Sequence, residues 1–499
     1  MLSLVIWIPA AGALIGATAG GRRTPGVATA LASLASLGLA IALIAGWSGH
    51  GGQLTHVTDV VWIRSLGIHY KLGLDGLNLF LVALTTFVFS GALIAANMRD
   101  WPRTELFYLL LGIAESAVLG AFLAQDLALF VGFFDLMLIP FYLLTGIYGG
   151  PGRVQATTKL VIYTLVGSLL MLAGAVALAV LASQHSGQPL NFTYSALRAA
   201  PLGGGTQDWI FLLFAAAFLV KMPAFPLHGW MPDGYREMPL EVLAIFSSVL
   251  SKVGAYGFLA IVLPILPRAG VHFQTLMLLI GLASILYGSA MAFTQTNARL
   301  IIGYSSVAQL GFITMGIFAL APQGAQGAVL QMVNHGLVVA PLFIIVGLLA
   351  ARAGGSEDIR DMGGIATRAP VLATIFLIVA FATLAMPGSG NFVGEILILL
   401  GLFKTKMVFS IIAFTGVLMA SVYVLRLFIR AMHNRTGPEV VSRELSWRDA
   451  LVLVPFVGAL MLFAIYPQFE LSRAQTSVTS SIAAAEASAA PASTPVADR

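Results

Sequence analysis

The feature that most constrains this 499-residue chain is the recurrence of apolar runs about as long as a bilayer is thick. A membrane helix needs roughly 20 predominantly apolar residues. Hydropathy and breaker residues divide the sequence into fourteen such segments: 2–20, 26–46, 74–97, 106–123, 126–148, 157–183, 208–226, 239–265, 273–293, 299–320, 325–351, 370–400, 407–430 and 449–468. In lipid the backbone must satisfy its own hydrogen bonds, so runs of this kind cross as helices. Charged residues make up only 9% of the chain, against roughly 25% in a soluble domain. The expected fold is therefore an all-α polytopic membrane protein, and a soluble enzyme, a disordered chain and a secreted scaffold are excluded. No Lys or Arg precedes the first segment, so it is not expected to be a cleaved signal peptide. Residues 474–499, rich in Ala, Ser, Thr and Pro, read as a disordered tail.

Cysteine is absent, which excludes disulfides, thiolate zinc sites and cysteine-ligated iron–sulfur clusters. The net charge of +5 comes without a basic block, so nucleic acid is not an expected partner. Loops after odd-numbered spans hold sixteen Lys and Arg, whereas those after even-numbered spans, with the tail, hold eight. This bias places the odd loops in the cytoplasm and both termini outside.

Charge inside the bilayer costs about 2.5–3.5 kcal/mol per residue on insertion scales. Glu115, Asp135, Lys221, Lys252 and Glu395 nevertheless lie well inside apolar runs. Structural ion pairing between helices accounts for one or two such residues. Five, of both signs and on five spans, point instead to a proton relay, because low dielectric brings the ionisation of acids and lysines toward neutrality.

Two of the five sit beside helix breakers. Lys221 lies in FLVKMPAFPLHGW (218–230), followed by Pro223 and Pro226; Glu395 lies in AMPGSGNFVGE (385–395), preceded by Pro387, Gly388 and Gly390. Proline removes a backbone donor and clashes with the preceding turn, so spans 7 and 12 are expected to be discontinuous. Interrupted helices in corresponding places mark transporters built from inverted repeats, here two five-helix repeats, spans 4–8 and 9–13. The divisions that follow are N-terminal helices in 1–105, a first repeat in 106–265, a second in 273–430, a last helix at 449–468 and the tail.

Glu115 and Asp135, on adjacent spans, are expected at similar depth. Glu241 precedes Lys252 by eleven residues, three helical turns, and reads as a solvated acid near the cytoplasmic mouth. His228, closing the broken stretch of span 7, and His335 in VNHGLVVAP (333–341) are relay candidates, since imidazole titrates near neutral pH. His50, His56, His69, His185 and His272 fall in expected external loops and His433 in an internal one, with no role assigned. No two histidines have helical metal-ligand spacing and no dinucleotide fingerprint is present, so no cofactor or metal is expected in this chain.

FFDLMLIPFYLL (133–144), FLVKMPAFPLHGWMPD (218–233), SKVGAYGF (251–258) and GNFVGE (390–395) resemble the M-type, chain 4-like, antiporter-like membrane subunits of respiratory NADH–quinone oxidoreductase, complex I. The resemblance covers about residues 70–430. It implies fourteen helices, inverted repeats, external termini and a central hydrated axis in a cell (inner) membrane. It also implies that NADH, FMN, Fe–S clusters and quinone belong to other subunits, and that neighbouring membrane-arm subunits are the partners. By motif position Asp135 and Lys221 form the pumping ion pair, Lys252 is the central lysine and Glu395 the exit-side acid; Glu115, His228 and His335 also match family positions. Three positions depart from the pattern: Asp135 stands where Glu is usual, and Gln309 and Tyr235 each replace a usual histidine. Glutamine cannot titrate, so a relay through position 309 needs water. The rivals are a D-type subunit of a multisubunit cation/proton antiporter, a membrane subunit of an energy-converting hydrogenase, and a structural scaffold whose charges only hold helices together.

Overall fold

The computed structural model of the protein describes residues 1–48 and 52–489. His50 and the last residues of the expected tail, 490–499, lie outside them. Among the described residues, eleven helices are long and apolar enough to cross a membrane, so the polytopic reading holds.

The chain opens with α1 (Leu2–Thr18) and α2 (Thr24–Ala45), which pack on each other and, through α1, on α4. Strands β1 (Thr55–Ile63) and β2 (Ile68–Leu74) follow. Next come α3 (Leu79–Ala96), α4 (Thr104–Leu123), α5 (Leu127–Leu136), α6 (Leu138–Tyr148), α7 (Arg153–Ser186), the short α8 (Tyr194–Ala199), α9 (Gly204–Lys221) and the short α10 (Met231–Glu237). The helical stretch Leu240–Ile265 is built from α11 (Leu240–Ile245), a π turn at Phe246–Leu250, α12 (Ser251–Gly257), a second π turn at Phe258–Val262, and α13 (Leu263–Ile265). The remainder is α14 (Pro267–His272), α15 (Gln274–Thr294), α16 (Ala298–Phe318), α17 (Pro322–Arg352), α18 (Pro370–Thr383), α19 (Gly390–Met432), α20 (Trp447–Ile465) and α21 (Gln468–Ala489).

Burial separates centre from rim. The most apolar window of α16 is 100% buried and that of Leu240–Ile265 is 94% buried, whereas α20 is 28% buried. A helix apolar all round and enclosed by neighbours is central. The central helices α11–α13, α16 and α17 carry Lys252, Gln309 and His335, so the polar side chains sit where lipid cannot reach.

Three expectations are corrected. The fold is not all-α: β1 and β2 form an antiparallel hairpin with Asp59 opposite Lys71 and Val61 opposite His69. The β-branched and aromatic residues of THVTDVVWI suit a pleated strand, and Gly67 turns the chain at φ 61°; reading this stretch as loop overlooked that enrichment. Residues 474–489 are not a disordered tail but most of α21. Its stripe of Ala474, Val478, Ile482 and Ala485 is buried against the bundle, so small apolar residues at helical spacing outweighed the Ala/Ser/Thr composition. The expected course of spans 12 and 13 stands: span 12 is interrupted across residues 384–389, between α18 and α19, and the helix axis breaks again at Lys406 (φ −144°, ψ 64°), between the expected spans. Finally, Glu241 is not solvated: it is 5% exposed and its Oε1 meets Arg99 Nε at 3.0 Å.

Candidate functional site

Both interruptions expected beside charged residues are present. Helix α9 ends on Lys221, and residues 222–230 run as turns through a cis Phe225–Pro226 bond to α10. The carbonyls freed at the end of α9 are taken up locally: Met222 N donates to Phe218 O at 2.8 Å and Trp230 Nε1 to Val220 O at 3.0 Å. Phe225 N donates to Ser284 Oγ at 2.9 Å, tying the broken stretch to α15. Such closure is what a helix break inside lipid requires. Glu395 lies in the second turn of α19, just past the 384–389 break, and Ser389 Oγ caps that helix by accepting from Phe392 N.

The structure adds two irregularities that sequence reading missed. The hydrogen-bond ladder is interrupted between α5 and α6 at Met137, two residues after Asp135, although Met137 keeps helical dihedrals; Pro140, which cannot donate to the carbonyl four residues earlier, supplies the reason. The π turns on both sides of α12 flank Lys252. A π turn takes more residues than an α turn and concentrates at functional sites. The eleven-residue interval from Glu241 therefore does not act as three α turns, and the two side chains have different neighbours: Arg99 for one, His335 for the other.

The seven expected residues fall into groups. Glu115 is fully buried; its Oε1 accepts from Ser33 Oγ at 2.9 Å, Ser33 Oγ meets Ser90 Oγ at 3.0 Å, and Oε2 has no partner. It lies eight residues before the end of α4 at Leu123 and Asp135 eight after the start of α5 at Leu127, which gives the two acids similar depth. Asp135 is only partly buried and accepts from Ser168 Oγ on α7. Lys221, 4% exposed, holds its Nζ 4.5 Å from the centre of the Phe134 ring. Asp135 and Lys221 act on each other electrostatically but form no ion pair within 4 Å; a ring face attracts the ammonium in place of direct contact.

Lys252 and His335 are brought together. Lys252 Nζ sits 2.8 Å from His335 Nδ1 and donates to Ser247 O at 2.9 Å and Ser251 Oγ at 3.2 Å, all of it buried. With Lys252 as an ammonium, which only donates, Nδ1 accepts and a neutral His335 carries its proton on Nε2. That nitrogen is buried without a partner.

Glu395, 2% exposed, accepts at Oε1 from Gln309 Nε2 at 2.8 Å, and Gln309 Oε1 accepts from Gln331 Nε2 at 2.7 Å. Glu395 Oε2 is unpartnered. On the same two helices, α17 and α19, Asn334 and Asn391 have both amide atoms buried and unpartnered. A Cβ placed on Gly390 would meet Asn334 Oδ1 at 2.8 Å, so Asn334 lies directly against the turn that carries Asn391. Counting Asn334, Asn391, His335 Nε2 and Glu395 Oε2, six buried polar atoms on α17 and α19 want partners that no side chain supplies. Buried polar groups are normally hydrogen-bonded, and water is the group of matching size and chemistry.

His228 stands apart. It packs among Phe225, Tyr287 and Tyr304, with ring centres 4.9 Å from Tyr287, and meets no other expected relay side chain. Tyr235, at the second replaced histidine, is fully buried. Of the histidines expected in external loops, His69 lies on the hairpin, where its Nδ1 and Lys71 Nζ both hold Asp59, at 2.7 and 3.1 Å. Burial pushes that carboxyl up, but these two bonds prevail and hold it below the usual carboxylate range. No group of His, Asp and Glu that could hold a metal ion occurs among the described residues. Ser33, Ser168, Gln331, Asn334 and Asn391 were not singled out by sequence; neutral polar residues in apolar spans are too common to stand out, and only their convergence on the charges marks them.

Comparison with known proteins accords with this arrangement. Residues 124–420 match the family described as NADH:quinone oxidoreductase/Mrp antiporter, TM. The chain is 34% identical over 482 residues to NADH-quinone oxidoreductase subunit M of Rhodobacter capsulatus, covering 94% of this chain and 93% of that protein. It is 37% identical over 458 residues to the subunit M of Escherichia coli strain K12, covering 87% and 89%. A chain of respiratory complex I from Thermus thermophilus, solved with bound NADH, superposes with a TM-score of 0.89 at 29% identity, covering 98% of this chain and 100% of that one. With more than half its length inside the family match, and with relatives above 30% identity along most of both chains, the protein belongs to the NADH:quinone oxidoreductase/Mrp antiporter membrane family.

Proposed function

We propose that this chain is a proton-translocating membrane-arm subunit of an NADH–quinone oxidoreductase, moving protons along its buried side chains while quinone is reduced elsewhere in the complex. One observation carries the reading. Among the described residues, Glu115, Asp135, Lys221, Lys252 and Glu395 form no ion pair within 4 Å with one another or with any other charge. Buried charges kept for stability are paired, because leaving one uncompensated costs several kcal/mol. A scaffold held together by ion pairs would show contacts that are missing here, whereas a relay needs groups separated by exchangeable partners.

The chemistry follows from the donors. Lys252 passes a proton to His335 Nδ1 and the ring releases its Nε2 proton, so charge crosses the imidazole in one step. The amides of Asn334 and Asn391 line the way to Glu395 Oε2, where bridging water carries the proton on. Lys221 and Asp135 bias one another across a gap rather than through a bond. In this reading the chain spans the inner membrane fourteen times as two inverted five-helix repeats, with both termini outside. Other subunits supply NADH, FMN, Fe–S and quinone chemistry, and the partners are neighbouring antiporter-like subunits. The relatives named subunit M support complex I over a cation/proton antiporter or a hydrogenase. Lys221→Ala and Glu395→Gln, each assembled into the complex and reconstituted in vesicles, test the reading: NADH oxidation with most proton pumping lost is expected. Wild-type stoichiometry in either variant removes that residue from the relay.

A further inference from the structure

The amides beside Glu395 have a property that proton relay alone does not require. Gln309 and Gln331, 1% and 0% exposed, form a single-file chain from Glu395: Gln331 Nε2 to Gln309 Oε1 at 2.7 Å, then Gln309 Nε2 to Glu395 Oε1 at 2.8 Å. An amide oxygen only accepts and its nitrogen only donates, so this polarity presents a donor to Glu395 and suits the ionised acid. Turning both amides over gives the complementary chain. Gln309 Oε1 then accepts from a protonated Glu395, and Gln331 Oε1 accepts from Gln309 Nε2. Gln331 Oε1 is the one atom of the pair now buried without a partner. It lies over Gly394, where a Cβ would strike it, so the residue before the acid leaves room for the outer amide to turn.

We propose that Gln309 and Gln331 form a two-position amide switch whose polarity follows the proton on Glu395. A proton reaches Glu395 at Oε2, the oxygen no side chain occupies, and forms the O–H bond there. A half-turn about the soft terminal torsion of the side chain swings that O–H toward Gln309, and both amides turn over to receive it. No proton passes through either amide and no bond within them breaks. What changes is the side to which the loaded acid points, from the unpartnered Oε2 position toward Gln309 on α16. The titratable group that acts on Glu395 from a surrounding helix is Tyr423, whose hydroxyl lies 3.1 Å from Ser305 Oγ; His335, on α17, is held by Lys252, and neither touches the amide chain.

The switch rests on the relay reading of Glu395, so its test separates the two. Infrared difference spectra of the assembled complex are recorded across pH with glutamine side chains isotope-labelled. In the wild type, titration of the Glu395 carboxyl band should be accompanied by a shift in labelled glutamine bands that disappears in Glu395→Gln and in Gln309→Leu. Gln331→Met and Gly394→Ala should keep the carboxyl titration but lose at least half of the glutamine shift. Alanine favours the α19 helix by propensity, and its Cβ falls chiefly on the Gln331 amide oxygen, with closer packing against Gln331 Cβ and Cα on α17; retained carboxyl titration shows that the site itself stays intact. A titrating carboxyl with silent glutamines overturns the switch and leaves the relay standing. A carboxyl at 395 that never titrates overturns both.

Discussion

Lys252 shows how much one buried side chain is asked to hold. Its ammonium reaches Ser247 O, Ser251 Oγ and His335 Nδ1 at once; Ser251 Oγ also donates to Ser247 O, so Lys252→Met leaves His335 Nδ1 as the stranded acceptor. A buried group left unsatisfied costs about 1–3 kcal/mol, and the variant should lower the thermal midpoint of the assembled complex as well as abolish pumping. Retained pumping in Lys252→Met would rule out the lysine–imidazole transfer. Asp135 makes the opposite case, acting on Lys221 without touching it and held instead by Ser168. Asp135→Glu, one methylene longer, narrows the gap to Lys221 and should stay active; Asp135→Asn removes the negative partner and should pump at a small fraction of wild type. Vesicle assays normalised to assembled complex decide between this order and its reverse, which a merely structural aspartate predicts because Asn keeps its size and hydrogen bonds. The charges and His335 were legible in the sequence. The gap between Asp135 and Lys221 was not, since it depends on where the Phe134 ring and α7 fall.

At the scale of the element, irregular backbone sits beside the charged side chains: the end of α9 at Lys221, the α5/α6 break at Asp135, π turns around Lys252, and the 384–389 break before Glu395. Proline and glycine announced two of these. Pro140 was present but unremarked, and the π turns in FSSVL and FLAIV have no breaker residue to reveal them. α21 carries its own test. Burial raises the Glu470 carboxyl well above its usual range, and neither of its oxygens has a partner. For an acid raised in the folded state, docking is strongest below the ordinary carboxylate pKa and weakens as pH rises through it, because the undocked helix ionises first. Hydrogen exchange across 468–489 should therefore quicken between acid and neutral pH. In Glu470→Met, protection at neutral pH should rise by about 1–3 kcal/mol, the cost of one unsatisfied buried polar group, and the pH dependence should vanish. Identical exchange in the two proteins would mean that Glu470 bears no load.

For the whole molecule the asymmetry of basic residues sets a prediction of sidedness. The end of α17 and the segment after it carry Arg352, Arg360 and Arg368, and the exposed tip at Gly355 has room for an insertion. Within it Arg360 bonds Asp358 and holds that carboxyl down to about 2, so the pair stays charged at any physiological pH. A reporter inserted at Gly355 should be cytoplasmic and one fused beyond Ala489 external. Both on the same side would break the fourteen-span count, since an odd number of crossings must separate them.

What the sequence determined by itself was the solvent and the cost. Apolar runs of bilayer length leave the backbone no alternative to helices, and a charge inside such a run is expensive enough that its presence signals use. Period and composition did not suffice where the energy is shared with distant residues. The hairpin at 55–74 is stabilised by cross-strand pairing, and α21 by a stripe of alanine, valine and isoleucine contacts that counts only when a groove is there to receive it. The amides around Glu395 are ordinary until α16, α17 and α19 converge. A hydrogen bond between Gln309 and Gln331, 22 residues apart in the chain, exists only because three helices meet at one depth, and that meeting is a property of packing in three dimensions, which no local pattern encodes.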